Sequence, residues 1–161
     1  MLSAIAAGIF AFLTICSHRQ VARTQLAYAT YSRIAWDKDF LNARNVFLNL
    51  RNEQNGLIEW AKKEHESTGN VAAIKAILND YELIALGINS AILDEQFYFN
   101  LLRGALLEDW SAAKPFVQEV RRRYNYEQYF KGFEELADRW KRIEPGKFPC
   151  TWYEQLLQRF R

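Results

Sequence analysis

The sequence predicts an all-α protein: an N-terminal single-pass transmembrane helix that continues into a compact multi-helix cytosolic bundle. Three observations carry this reading. The run Leu2 to Ser17 (LSAIAAGIFAFLTICS) holds no charged side chain. Between Gly8 and Gly56 there is neither Gly nor Pro, so one helix can continue unbroken out of that run. Downstream, apolar residues recur at helical spacing, and no stretch alternates as a half-buried strand would.

The first element is the apolar run itself. Its 16 residues make a helix of roughly 24 Å. That is just under the usual lower limit of about 17 residues for crossing a ~30 Å hydrocarbon core. His18, Arg19 and Gln20 fit the headgroup layer, with the Arg19 stem snorkelling, and Val21 and Ala22 continue the apolar character. A cleaved signal peptide is the weaker reading, because nothing basic precedes the run. A core helix is the third. For an anchor, orientation follows from charge. Residues 1–36 contain Arg19, Arg23 and Arg33 and no acid, a local charge of +3, whereas residues 37–161 carry −1. Positive charge gathers on the cytoplasmic side, so the N-terminus is expected outside and the C-terminal domain in the cytoplasm.

The following elements read as helices in sequence. The first helix is expected to reach about Trp36. Asp37 or Asp39 suits the N-cap of the second, in which Phe40, Ala43, Phe47 and Leu50 form an apolar stripe. Asn55-Gly56 marks a stop. A short helix holds Leu57, Trp60 and Ala61. Asn70 is expected to cap the next, whose apolar face is Ile74, Ile77, Leu78, Tyr81, Ala85 and Ile88. Asp94 suits the cap of a helix with Phe97, Leu101, Ala105 and Leu106. Pro115 suits the first turn of another, where its missing N–H costs nothing. Asn125 with Gln128 resembles a capping box for a helix presenting Tyr126, Tyr129, Phe130, Phe133, Ala137 and Trp140. Glu144-Pro145-Gly146 ends it, and Trp152 to Phe160 forms a short amphipathic tail helix. The expected division is therefore 1–22 anchor and juxtamembrane segment, 23–144 helical domain, and 145–161 C-terminal tail.

Composition excludes several classes. Half the residues are hydrophobic and a quarter charged, which is globular rather than disordered. The two cysteines, Cys16 and Cys150, and two histidines, His18 and His65, cannot build a disulfide scaffold, and no HxxxH, HExxH or CxxC occurs. No GxSxG and no Gly-rich phosphate loop is present. The net charge of +2 does not suggest nucleic acid as a partner. No catalytic residue, no cofactor and no metal is therefore expected, and the protein is not read as an enzyme.

Two groups of polar residues stand out. Asn79, Glu82 and Asn89 flank the apolar face of the Ile74–Ile88 helix. With Asp94 and Arg103 they form a candidate structural cluster, in which Arg103 or Arg139 pairs with a half-buried Glu82. Arg19 and Arg23, with the run Arg121-Arg122-Arg123, are candidate contacts to an anionic surface. Three consecutive Arg also complement a helix C-terminus. The pairs Asp94-Glu95 and Glu108-Asp109 are read as capping residues and solvated ends. Glu95 and Asp109 lie about 21 Å apart along a helix and cannot act on one bond.

The stretch Leu78-Asn79-Asp80-Tyr81-Glu82, followed by Ile92-Leu93-Asp94-Glu95, resembles the centre of domain-of-unknown-function family 4760. Ala29-Thr30 in the first long helix, Trp110, and the aromatic stretch Tyr126 to Trp140 match the same pattern, over roughly residues 1–142. Ser90 and Ala91 depart from it, standing where a further Gly is expected. The resemblance implies a membrane-anchored helical domain encoded by a bacterium or a phage, and no activity. The expected location is the bacterial inner membrane. The expected role is an adaptor or inhibitor that binds another protein, in contact with membrane lipid. The alternative is a membrane-acting effector of phage exclusion or defence, self-associating through small residues such as Ala4-x-x-x-Gly8.

Overall fold

A computed structural model describes the backbone of residues 2–148 and the side chains of residues 7–148. The expected tail helix and Cys150 lie outside the described residues. Five α-helices follow in order: α1 (Leu2–Ala35), α2 (Lys38–Arg51), α3 (Gly69–Asn89), α4 (Glu95–Tyr124) and α5 (Lys131–Lys141). Two 3₁₀ segments, Gly56–Ala61 and Lys63–His65, join α2 to α3. The described residues contain no strand.

Helix α3 lies between α2 and α5, and α4 packs on the first 3₁₀ segment and on α5. The face expected of α3 is the one it buries: Ile74, Ile77, Leu78, Tyr81, Ala85 and Ile88 all lie in the core. Phe47 of α2, Phe116 of α4 and Trp140 of α5 are fully covered. Large rings fill this small core, and the Phe99 and Trp140 rings meet edge to face at 5.5 Å.

Local chemistry sets the helix ends. Asp37 caps α2 by accepting the Phe40 N–H. Thr68, not Asn70, caps α3, accepting the Val71 N–H. Helix α3 closes with paired terminal bonds: Ala91 N–H donates to Ile88 O, and Ile92 N–H to Gly87 O. That closure puts Ala91 at φ 53°, where an L side chain is strained. The turn folds Leu93 onto Gly87, where a Cβ would meet Leu93 Cδ1 at 2.5 Å.

Two expectations about α4 and α5 are corrected. Pro115 does not begin a helix but lies inside α4. Pro115 and Ser111, whose carbonyl it deprives of a partner, are both exposed, so water can satisfy that carbonyl. Asn125 does not open a capping box; it ends α4 in the left-handed conformation at φ 49°. Phe130, also left-handed at φ 54°, turns its ring into the core immediately before α5. Tyr126 and Tyr129 consequently stay exposed while Phe133, Ala137 and Trp140 are buried.

Helix α1 stands apart. It is continuous from Leu2 to Ala35 and rests on α2 and α4, and among its described side chains only Ala27 is buried. The expected membrane span is not met among the described residues: no helix there is long and apolar enough to cross a membrane. From residue 7 the uncharged run lasts only to Ser17, before His18 and Arg19 interrupt it.

Candidate functional site

The interior polar centre is Asp109 of α4, which is completely buried. Its Oδ2 accepts the Tyr81 hydroxyl of α3 at 2.7 Å and is bonded by Arg44 Nη1. Its Oδ1 accepts Arg51 Nη1 at 2.7 Å. Arg44 and Arg51 are seven residues apart, two turns on one face of α2, so both reach the same carboxylate. Burial, reinforced by the Asp109 charge, pushes the Tyr81 phenol far above its usual range. A buried carboxylate needs this many donors. The expectation of a solvated end is wrong for Asp109, whereas its neighbour Glu108 is exposed. A periodic signal was present: Asp109 falls on the stripe Leu106, Trp110, Ala113 and Phe116 once Pro115 is allowed inside the helix.

Beside this centre, α1, α2, α3 and α4 enclose a cavity of about 250 Å³. Tyr31, Phe40, Ile77, Ile84, Tyr98 and Leu102 supply apolar wall, and Asp80 and Arg44 supply charge. No hydrogen bond reaches the Asp80 carboxyl from the described residues. Burial raises its pKa to about 6, and Arg44 offsets only part of that. The Tyr98 phenol is pushed up to about 12, first by burial and then by the Asp80 charge.

The second polar junction holds α1. Asp94 Oδ1 caps α4 through the Phe97 N–H at 3.0 Å. Its Oδ2 accepts Gln20 Nε2 at 2.8 Å and the Thr24 hydroxyl. Arg23 Nη2 donates to Leu93 O at 2.7 Å, and the Tyr98 hydroxyl reaches Ala27 O at 3.4 Å. With Tyr31 and Ala35 meeting Leu102 and Ala105 around the cavity, α1 runs alongside α4 in the same direction. Its residues 7–17 therefore project past the start of α4.

The expected polar cluster is dispersed. Glu82 pairs with neither Arg103 nor Arg139. Its Oε1 and Oε2 accept the Gly132 and Phe133 N–H groups at 3.0 and 2.7 Å, capping α5 from a distant helix. Arg139 instead binds Glu95 at 2.8 Å and Asn89 at 3.3 Å, and Arg103 donates to the Trp140 and Ile143 carbonyls. Asn79 is exposed. Neither alternation nor helical spacing could reveal these partners, which lie tens of residues away.

The Arg121–Arg123 run is not a free basic face. Arg121 is buried against Glu134 and Tyr129 O, Arg122 pairs with Glu119 on its own helix, and Arg123 binds Glu66 and Ala61 O. Three consecutive residues point three ways around the helix, so each finds a different acid. Of the expected surface contacts Arg19 is exposed, while Arg23 is committed to Leu93. His65 approaches Glu59 and Glu64 at the surface, and its ring lies tilted against that of Trp60 with centroids 4.9 Å apart.

A family model described as Domain of unknown function (DUF4760) matches residues 1–140. The chain belongs to this family. No curated protein and no solved structure matches it. The residues that carry the resemblance in the sequence are fasteners between helices. In Leu78 to Glu82, Leu78 fills the core, Tyr81 binds Asp109 and Glu82 caps α5. In Ile92 to Glu95, Leu93 packs on Gly87, Asp94 holds α1, and Glu95 accepts both Arg139 and the Trp140 indole N–H. Trp110 packs on Phe133 at 5.0 Å.

Proposed function

We propose that this protein is a membrane-anchored interaction module. The apolar start of α1 inserts into the bacterial inner membrane with the N-terminus outward, and the helical domain stands on the cytoplasmic side to bind another protein. The observation that carries this reading is the exposure of α1. Ile9, Phe10, Phe12 and Ile15 are 56%, 73%, 52% and 59% accessible. An apolar helix with no protein to cover it belongs in lipid or against a partner. The uncharged sequence run is short for a complete crossing, so His18 and Arg19 are drawn into the headgroups.

The Asp94 junction couples anchor and domain. It grips α1 immediately after the apolar run, so the domain keeps a set orientation to the bilayer. Helix α4 carries the chain about 45 Å from that junction. At its far end Tyr124, Tyr126 and Tyr129 cluster with ring centroids 5.8 and 5.1 Å apart, all exposed. Exposed tyrosines are favoured at protein interfaces, which supports a protein partner there.

The test is a fractionation of cells making the C-terminally tagged protein. The tag is expected to stay in membranes washed at alkaline pH and to resist protease added to spheroplasts. A tag released by the wash, or retained after residues 1–17 are deleted, overturns the anchor. Crosslinking from Tyr126 then identifies the partner.

A second reading, a membrane-acting effector, draws on Gly8, where nothing lies within 4 Å of an added Cβ and a second helix can approach closely. It predicts loss of membrane potential on overexpression, suppressed by Gly8→Leu.

A further inference from the structure

We propose that the cavity between α1, α2, α3 and α4 binds a small organic cation, a protonated amine on an apolar or aromatic body, with the Asp80 carboxylate as its counter-ion. The site is independent of the membrane reading.

The argument starts from unequal pairing. Arg44 and Asp80 both line the cavity, but only Arg44 is engaged. Its guanidinium bonds Asp109, whose remaining capacity is taken by Arg51 and Tyr81. Asp80 is half-buried, lines the cavity and accepts no hydrogen bond from the described residues, and only the Arg44 charge acts to stabilise its ionised form. Its carboxylate is thus partly desolvated and open to the cavity, with no protein donor bonded to it. A ligand that donates an N–H and carries positive charge supplies that bond.

The walls select the rest of the ligand. Ile77, Ile84 and Leu102 are aliphatic, and Tyr31, Phe40 and Tyr98 bring aromatic rings that attract a cation through their faces. The volume of about 250 Å³ lies at the small end of ligand sites, so the ligand is fragment-sized. An anion would meet the Asp80 charge, and a neutral apolar molecule would leave the carboxylate without a donor. The groups that line the cavity with Asp80 are Arg44 from α2, Tyr31 from α1, Tyr98 from α4 and Tyr81 from its own helix. Asp109 bonds both Arg44 and Arg51, which leaves the Asp80 carboxylate as the acceptor open to the cavity.

The experiment uses the full chain in a mild neutral detergent, which suits it with or without membrane insertion, and protein-free detergent solution is the reference. Phenethylamine, tryptamine and hexylamine are titrated at pH 7.5 by calorimetry, beside 2-phenylethanol and 3-phenylpropionate. At least one amine is expected to bind saturably, and neither of the other two compounds to match it. Asp80→Asn is expected to weaken that amine about tenfold or more. Ala105→Phe, which fills the cavity and leaves Asp80 intact, is expected to abolish binding. Thermal melts report whether each variant is folded, and Asp80→Asn alone decides if Ala105→Phe is not. Amine affinity should fall as the pH drops through about 6, where Asp80 takes up a proton. No saturable binding of any amine, undiminished binding by Asp80→Asn, or equal binding of the alcohol or the carboxylate overturns the proposal.

Discussion

Tyr81 and Asp109, 28 residues apart in sequence, meet in the core with the tyrosine hydroxyl donating to Oδ2 at 2.7 Å. The contact ties α3 to α4 and lets one carboxylate also hold α2 through Arg44 and Arg51. Removing the carboxylate leaves two guanidinium groups without their buried anion. Asp109→Ala is expected to destabilise the domain by about 3–5 kcal/mol. Tyr81→Phe removes one donor of three and should cost about 1–2 kcal/mol. Urea unfolding of the two variants checks the order, and equal losses would contradict it.

Glu82 supplies the anion at the start of α5. Glu82→Gln keeps the shape but removes the charge from the helix terminus, with an expected loss of about 1 kcal/mol. Amide hydrogen exchange should quicken first in Lys131–Lys141, while the amides of α3 remain protected.

Ala91 occupies a left-handed position at the end of α3. Glycine takes this conformation without a Cβ clash, so Ala91→Gly is expected to stabilise the domain by about 0.5–1 kcal/mol. The nearby Gly87→Ala should do the opposite, because its Cβ would strike Leu93. Paired thermal melts distinguish them by sign.

Asp80 makes stability depend on pH. Its carboxyl is raised from 3.8 to about 6 by burial, so the folded chain holds this proton more tightly than the unfolded chain does. The sign is therefore a penalty for ionisation: absent below about pH 4, growing between pH 4 and 6, and complete above 6. Asp80→Asn removes it, and the variant should be more stable than the parent at pH 7 by up to about 3 kcal/mol, with the two nearly equal at pH 4. Urea titrations across that range test both ends.

Asp94 joins the cap of α4 to the grip on α1. Asp94→Ala should cost about 1–2 kcal/mol through the lost cap. It should also free α1, seen as faster proteolysis between Arg23 and Arg33 with the core helices intact.

The sequence by itself determined the helices and the faces they bury. Period and caps are local, so the α3 stripe, the Asp37 and Asp94 caps and the long α1 were legible from neighbours three or four residues away. Local rules also misled at two places: Pro115 stays inside α4 on its exposed face, where water can satisfy the freed carbonyl, and Phe130 adopts a left-handed turn with its ring buried in the core. Only the tertiary structure decided the partners of the polar groups. Asp109 and Arg121 read locally as a solvated end and a dipole-matching residue, and Glu82 as the half-buried partner of Arg103 or Arg139. Each is instead bonded to a group brought up by another element. The cavity beside Asp80 is likewise a property of four helices together. A buried charge needs a donor or a counter-charge of the right geometry, and in this chain the fold, rather than sequence proximity, supplies it.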